Sequence, residues 1–205
     1  LKKNITTDKG KEGNSFAQAL GEGKITNEAE LKSLGRTKFT GLIAKGKVGS
    51  ENSTITNKGT IEITGDGSEN VGMAALEDGN LVNSVSKVGD NYYVVNDKGQ
   101  PLQNDGTPVT KYDANGNPLN NDGSLVTKVD TTANSNISLK NGSTGIYSSG
   151  GTITSTSVNK LNITVDNSAT GIKKGLGVYA ENGSNVNLTG ANIGVIKGEA
   201  GVAAY

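Results

Sequence analysis

Apolar residues in this chain fall at alternate positions in short runs. Each run is followed by a small polar turn, then by Gly and a branched or thioether residue. The phrase reads IEITGDGSENVGM at Ile61 to Met73 and ISLKNGSTGI at Ile137 to Ile146. It returns as LNITVDNSATGI at Leu161 to Ile172 and as VNLTGANIGVIKGEAGV at Val186 to Val202. Alternation at period two predicts thin strands with one buried face. Recurrence of the phrase predicts stacked coils, each burying a face that its neighbour needs. The expected fold class is therefore all-β, a right-handed parallel β-helix (solenoid). The ladder is expected to begin at Phe39, where Phe39, Leu42, Ile43 and Val48 lead into Ile55, Ile61 and Ile63. It pauses near Leu76 and resumes around Asn136. Spacings of 26 residues from Gly145 to Gly171 and 24 from Gly177 to Gly201 suit one coil of three strands and three corners.

Two stretches depart from the phrase. In residues 1–38, Asn27 ahead of Glu30 has capping-box character, Leu31 and Leu34 supply an apolar stripe, and Gly35 stands where a helix C-terminal glycine belongs. This predicts a short N-terminal helical excursion over Glu28–Leu34, with an earlier turn of helix at Ser15–Leu20. In residues 77–133 a different repeat takes over. VVNDKGQPLQNDGTPVT (Val94 to Thr110) is followed without a gap by KYDANGNPLNNDGSLVT (Lys111 to Thr127), an offset of 17 residues. Asn104–Gly106 and Asn121–Gly123 are Asn-Asp-Gly hairpin signals. Upstream, Leu81, Val85, Val88 and Tyr92–Val95 flank a Gly89-Asp90-Asn91 turn. The stretch reads as an antiparallel β-meander inserted into the ladder. Pro101, Pro108 and Pro118, the only prolines, suit strand ends and edges. The chain divides into 1–38, coils over 39–76, the insertion over 77–133, and coils over 134–205.

Composition narrows the function. The apolar fraction is 32% and the aromatic fraction 4%, low for an ordinary globular core and compatible with thin strands. Net charge is zero and Arg36 is the only Arg, so neither the basic excess nor the bidentate donors of a nucleic-acid binder are present. There is no Cys and no His, which excludes Cys nucleophiles, disulfides, Ser-His-Asp triads and the usual zinc sites. No apolar run approaches a membrane span. With no initiator Met or leader, the chain is expected to be a piece of a longer one.

The candidate chemistry is modest. Asp66, Glu69, Glu77 and Asp78 gather near the turn and exit of one coil, but a glycosidase needs two carboxylates facing across a sugar subsite, and Trp is absent. They read as solvated turn carboxylates, and no catalytic role is expected. Asp113, Asn115 and Asn117 match the first three ligands of a calcium loop, yet Pro118 stands where its glycine belongs and Ser124 where its Glu belongs. A plain β-turn is the expectation, with no metal or cofactor. Tyr92, Tyr93 and Tyr112 are half of the six Tyr and all fall in the insertion. With Asp97, Lys98, Asn104, Asp105, Asn121 and Asp122 they form a candidate partner-binding set, because Tyr adds contact area at low entropic cost. The alternative is that Tyr93 or Tyr112 anchors the meander's own apolar face. Tyr147 and Tyr179 each follow a buried-type residue and should face outward, stacking if adjacent coils bring them together. Asn is expected to stack along corners, bonding from coil to coil.

Gly-Ile-Tyr at Gly145, Gly-Val-Tyr at Gly177, NKGTIEITGDGSENVGM and KYDANGNPLNNDGS together resemble passenger segments of large fusobacterial-type autotransporter adhesins, over most of residues 49–205. The resemblance implies a long β-helix exported to the bacterial cell surface through a separate C-terminal outer-membrane barrel that is not in this chain. It also implies continuation into further coils and attachment to a glycan or protein receptor on host cells or other bacteria. No ligand residues come with the repeat. The expected function is thus a β-helical stalk displaying an insertion for attachment. The alternatives are a purely structural spacer and a polysaccharide-active β-helix enzyme.

Overall fold

The computed structural model describes residues 1–7, 12–64, 68–83, 85–88, 90–95, 100–128, 135–155, 161–168 and 174–205. The first coil is β1 (Ile5–Thr7), β2 (Ser15–Leu20) and β3 (Lys24–Asn27). The second is β4 (Glu30–Leu34), β5 (Thr40–Lys45), a small hairpin of β6 (Lys47–Val48) and β7 (Glu51–Asn52), then β8 (Thr54–Asn57). The third is β9 (Thr60–Thr64), β10 (Val71–Leu76) and β11 (Asn80–Asn83). The inserted strands are β12 (Val85–Val88), β13 (Asn91–Val94), β14 (Lys111–Tyr112) and β15 (Pro118–Leu119). The ladder resumes with β16 (Ser135–Lys140), β17 (Thr144–Ser149) and β18 (Thr152–Ser155), and continues with β19 (Leu161–Asp166), β20 (Leu176–Glu181) and β21 (Asn185–Leu188). It closes with β22 (Asn192–Ile196) and β23 (Ala200–Ala204).

Each of the first five coils contributes one strand to each of three parallel sheets, and the last adds β22 and β23 to two of them. Face one is β1-β4-β9-β16-β19-β22, face two is β2-β5-β10-β17-β20-β23, and face three is β3-β8-β11-β18-β21. The molecule is all-β, with parallel strands stacked in layers as in a β-solenoid. Register aligns like with like. Ile5, Leu31, Ile61, Ile137, Ile163 and Ile193 form one column on face one. Ala17, Leu42, Met73, Ile146, Val178 and Val202 form another on face two. Face three contributes Ile25, Ile55, Leu81, Ile153 and Val186. These columns meet in a continuous core, and each buried Leu or Ile contributes about 1.5–3 kcal/mol.

The glycine of the recurring phrase has its own column. Gly41, Gly72, Gly145 and Gly177 precede Leu42, Met73, Ile146 and Val178, and none has a left-handed φ. A Cβ at Gly145 would lie well inside 3.0 Å of both Ile163 Cγ2 and the Gly177 carbonyl oxygen. At Gly72 it would strike Ile137 and the Gly145 carbonyl in the same way. Glycine is thus required because face one's aliphatic column and the next coil's backbone converge there. The register also pairs Tyr147 with Tyr179, so the equivalent of Gly145 is Gly177. Gly171, which the 26-residue spacing suggests as the equivalent, lies outside the described residues.

No helix is present among the described residues. Ser15–Leu20 is β2 and Glu30–Leu34 is β4. The Leu31 and Leu34 spacing that suggested a helical stripe is overridden because β4 pairs with coils on both sides and turns Leu31 and Ser33 inward. Asn27 is not a helix cap. Its Oδ1 accepts the Ala29 N–H at 3.2 Å while its Nδ2 donates to Asn57 Oδ1 at 2.8 Å, and Asn57 Nδ2 donates to Ser135 Oγ at 2.7 Å. This buried amide line runs up the corner between faces three and one. A second corner uses Asn70, which accepts the Phe39 N–H and donates to the Arg36 carbonyl, both at 2.9 Å. On the outer surface, Asn192 donates to Asn162 at 2.8 Å and Asn162 to Asn136 at 3.0 Å. The ladder starts at Ile5 rather than Phe39 and runs to Asn83, past Leu76.

Candidate functional site

The insertion leaves after β11 and returns at β16. The coils on either side of it still pair directly, β9 with β16 and β10 with β17. It opens with an antiparallel hairpin of β12 and β13, in which Val85 faces Val94 and Val88 faces Asn91. It continues through bridges Val95–Pro101 and Leu102–Pro108, the pair β14–β15, and the bridge Leu119–Leu125. The prolines enter as acceptors: Val109 N–H donates to Pro101 O at 2.8 Å, and Val126 N–H to Pro118 O at 3.0 Å. Those two contacts occupy equivalent places in the 17-residue repeat. Tyr93, Val109 and Val126 form a small core of their own, with Val88 packed against it.

The turns are closed by their own acidic residues. Asp105 Oδ1 accepts the Thr107 N–H at 2.9 Å and its hydroxyl at 2.7 Å, and Asp122 Oδ1 does the same with Ser124 at 2.9 and 2.6 Å. Asp113 accepts the N–H groups of Asn115 and Asn117, each at 2.8 Å, and Asn117 Nδ2 at 2.9 Å. Gly116 N–H closes that turn onto the Asp113 carbonyl at 3.0 Å. The resemblance to a calcium loop is thus a β-turn whose donors occupy the carboxylate. These bonds hold all three carboxyls below the usual range: the Thr107 hydroxyl chiefly for Asp105, the Asn117 amide for Asp113, and the Ser124 hydroxyl for Asp122.

The two repeats bind each other through their amides. Asn121 N–H donates to Gln103 Oε1 at 2.7 Å, and Asn104 N–H donates to Asn120 Oδ1 at 2.9 Å. Gln103 Nε2 reaches Asn121 Oδ1 at 3.3 Å, and Thr127 N–H donates to Asn104 Oδ1 at 2.9 Å. Of the sequence-predicted binding set, Asn104 and Asn121 therefore serve the meander itself. Tyr93 is 1% exposed and packs inside it, where burial, then the Asp113 charge, pushes its phenol up. That removes Tyr93 from any recognition surface and makes it the meander's anchor. Tyr92 is half-buried, while Tyr112, at 48% exposure, and the outer edges of Asp105 and Asp122 face solvent. Asp97 and Lys98 lie outside the described residues. Among the acidic residues near the coil exit, Glu77 pairs with Lys45 at 3.1 Å and Asp78 with Lys47 at 3.3 Å, and Asp66 lies outside the described residues.

The insertion does not stand away from the rod. Lys24 Nζ, on β3, donates to the Gly106 carbonyl at 3.2 Å and pairs with Glu51 at 3.4 Å. Gly106 takes a left-handed φ of +86°, which glycine alone adopts without strain, and the place of a Cβ there lies 2.9 Å from Lys24 Cδ. Folding back in this way encloses a cleft of about 260 Å³ against face three. Its floor is Thr26, Thr54, Thr56 and Asn80, one wall is the Ser50–Asn52 loop, and the other is the aliphatic edge of the insertion at Val94, Leu102 and Pro108. Hydroxyl and amide groups line it beside aliphatic surface, and its one close ion pair is internally neutral. None of the described residues of the sequence-predicted set lines this cleft. The signal that could have found its floor is the repeated phrase KITN at Lys24–Asn27 and TITN at Thr54–Asn57, whose threonines line the cleft while Ile55 and Asn57 are buried in the rod.

No family model matches the chain, and no curated protein or solved structure was found to match it.

Proposed function

We propose that this chain is a segment of an exported bacterial surface adhesin. Its rod is a right-handed parallel β-helix serving as a stiff stalk, and its tandem-repeat insertion forms the contact with a host-cell or bacterial receptor. The observation that carries this reading is the fold-back of the insertion onto face three, which creates a cleft on an otherwise uniform rod. The cleft's hydroxyl and amide floor, aliphatic wall and lack of net charge suit a neutral, hydroxyl-rich ligand about the size of one or two sugar rings.

One observation favours a structural spacer instead: Asn104, Asn121 and Tyr93 spend their bonding and surface inside the meander. A single comparison separates the two readings. Residues 84–134 are replaced by a short Gly-Ser linker, which the direct β9–β16 and β10–β17 pairing permits. Both forms are then tested for binding to immobilised glycans and to cells. Attachment lost with a retained β-sheet spectrum is the expected result. Equal attachment by both forms would assign the segment to the spacer role.

A further inference from the structure

Coils four and five carry a tyrosine pair on the outer surface of face two. Tyr147 on β17 lies in register with Tyr179 on β20, their rings stacked at 5.7 Å with an interplanar angle of 9°. The Tyr147 hydroxyl donates to Glu181 Oε1 at 2.5 Å, and the Tyr179 hydroxyl donates to Oε2 of the same carboxylate at 2.8 Å. Tyr205 places a third ring 5.7 Å from Tyr179 and is 86% exposed. Stacked rings present their edges to solvent and their faces to each other, so this row is a poor platform for an external ligand. Its geometry suits chemistry between the rings.

We propose that Tyr147 and Tyr179 are an oxidative cross-linking site, joined into dityrosine by a peroxidase with hydrogen peroxide, with Glu181 as the proton acceptor. Removing an electron from a phenol makes its O–H strongly acidic, so a carboxylate already hydrogen-bonded to it lets the proton leave with the electron. Each phenol has such a partner oxygen. Glu181, half-buried at the surface, passes each proton to water. The two phenoxyl radicals couple through ring carbons ortho to oxygen. Each ring then loses its ortho hydrogen as a proton and regains its phenolic hydrogen. The balance is two phenols and one hydrogen peroxide giving one carbon–carbon bond and two waters. The peroxide is reduced and the tyrosine pair is oxidised by two electrons. The two phenols also hold the Glu181 carboxyl below its usual range, Tyr147 first and then Tyr179, so it stands ionised as an acceptor at neutral pH. The product is a covalent staple between neighbouring coils in a chain that has no cysteine to form one.

The test is to treat the purified chain with a haem peroxidase and hydrogen peroxide, following dityrosine fluorescence and mapping the linked peptides by mass spectrometry. A monomeric product two hydrogens lighter, linked through Tyr147 and Tyr179 and formed at a rate independent of protein concentration, is expected. Tyr147→Phe should abolish this product and Tyr112→Phe should leave it unchanged. Glu181→Gln, which keeps the shape of the pair, should slow its formation roughly tenfold or more. Links mapped to other tyrosines, only intermolecular products, or no product would overturn the site. An unchanged rate in Glu181→Gln would overturn the part assigned to the carboxylate.

Discussion

Glycine does two different jobs in this chain, and substitution should separate them. Gly183 takes a left-handed turn, φ +72°, with nothing within 4 Å of the place a Cβ would occupy. Gly145 needs no unusual φ, yet a methyl there would collide with Ile163 and with the next coil's backbone. Gly183→Ala should therefore cost about 1 kcal/mol in backbone strain, while Gly145→Ala should cost about 3 kcal/mol through overpacking. Urea-unfolding midpoints of the two variants measure the difference, and equal losses would contradict the steric account. The phrase itself was legible in the sequence; the reason for its glycine was not. A glycine ahead of a branched residue looks the same whether it relieves torsion or admits a neighbouring backbone. Only the register showed that Gly145 meets Gly177. The Tyr that follows each of them was the better guide to equivalence than residue spacing, because the corners differ in length.

Strands were readable wherever alternation was clean, as in β9, β16 and β19, and misread where it was short. Glu30–Leu34 offers Leu at a helical spacing within five residues, and nothing local opposes a helix. Two neighbouring coils decide the matter by taking up its backbone hydrogen bonds on both edges, a nonlocal effect that propensity does not contain. In the insertion, the turn signals named the turns but gave no hint that Asn104 and Asn121 would be consumed in holding them together. Tyr93→Ala should remove the insertion's small core at a cost of about 3–5 kcal/mol to that element, with the rod's melting unchanged. Loss of amide protection confined to the insertion would show this, whereas a fall in the rod's own transition would contradict it. Acid should act on the same element. The carboxyls of Asp105, Asp113 and Asp122 titrate below their usual range in the folded chain, so their contribution is complete above the usual carboxylate range and is lost as pH falls through the lowered values. The aliphatic columns contain no titrating group. Amide exchange followed on acidification should therefore show the insertion opening before the coils, although Asp166 and Glu181, also lowered, will loosen parts of the rod's surface.

At the scale of the whole molecule, the cleft lies where Lys24 and Gly106, 82 residues apart, touch. No pattern within either segment announces that contact, which is why the sequence pointed to the tip of the insertion and missed the floor beneath it. Lys24→Ala should release the insertion from face three. Because the charges involved are partly exposed, the change in overall stability should stay below about 1 kcal/mol, while protection of the 100–108 amides falls. Unaltered protection there would mean that the insertion is held by other contacts. The way the two repeats meet also makes each depend on the other. Gln103 and Asn120 hold the same place in their repeats, as do Asn104 and Asn121, and each copy donates the bond it receives. The exchange is reciprocal at these two bonds, and each repeat leaves a backbone N–H and a side-chain oxygen for the other to satisfy. Removing either copy would strip the other of both partners, so the two 17-residue units are expected to fold as one pair and not singly.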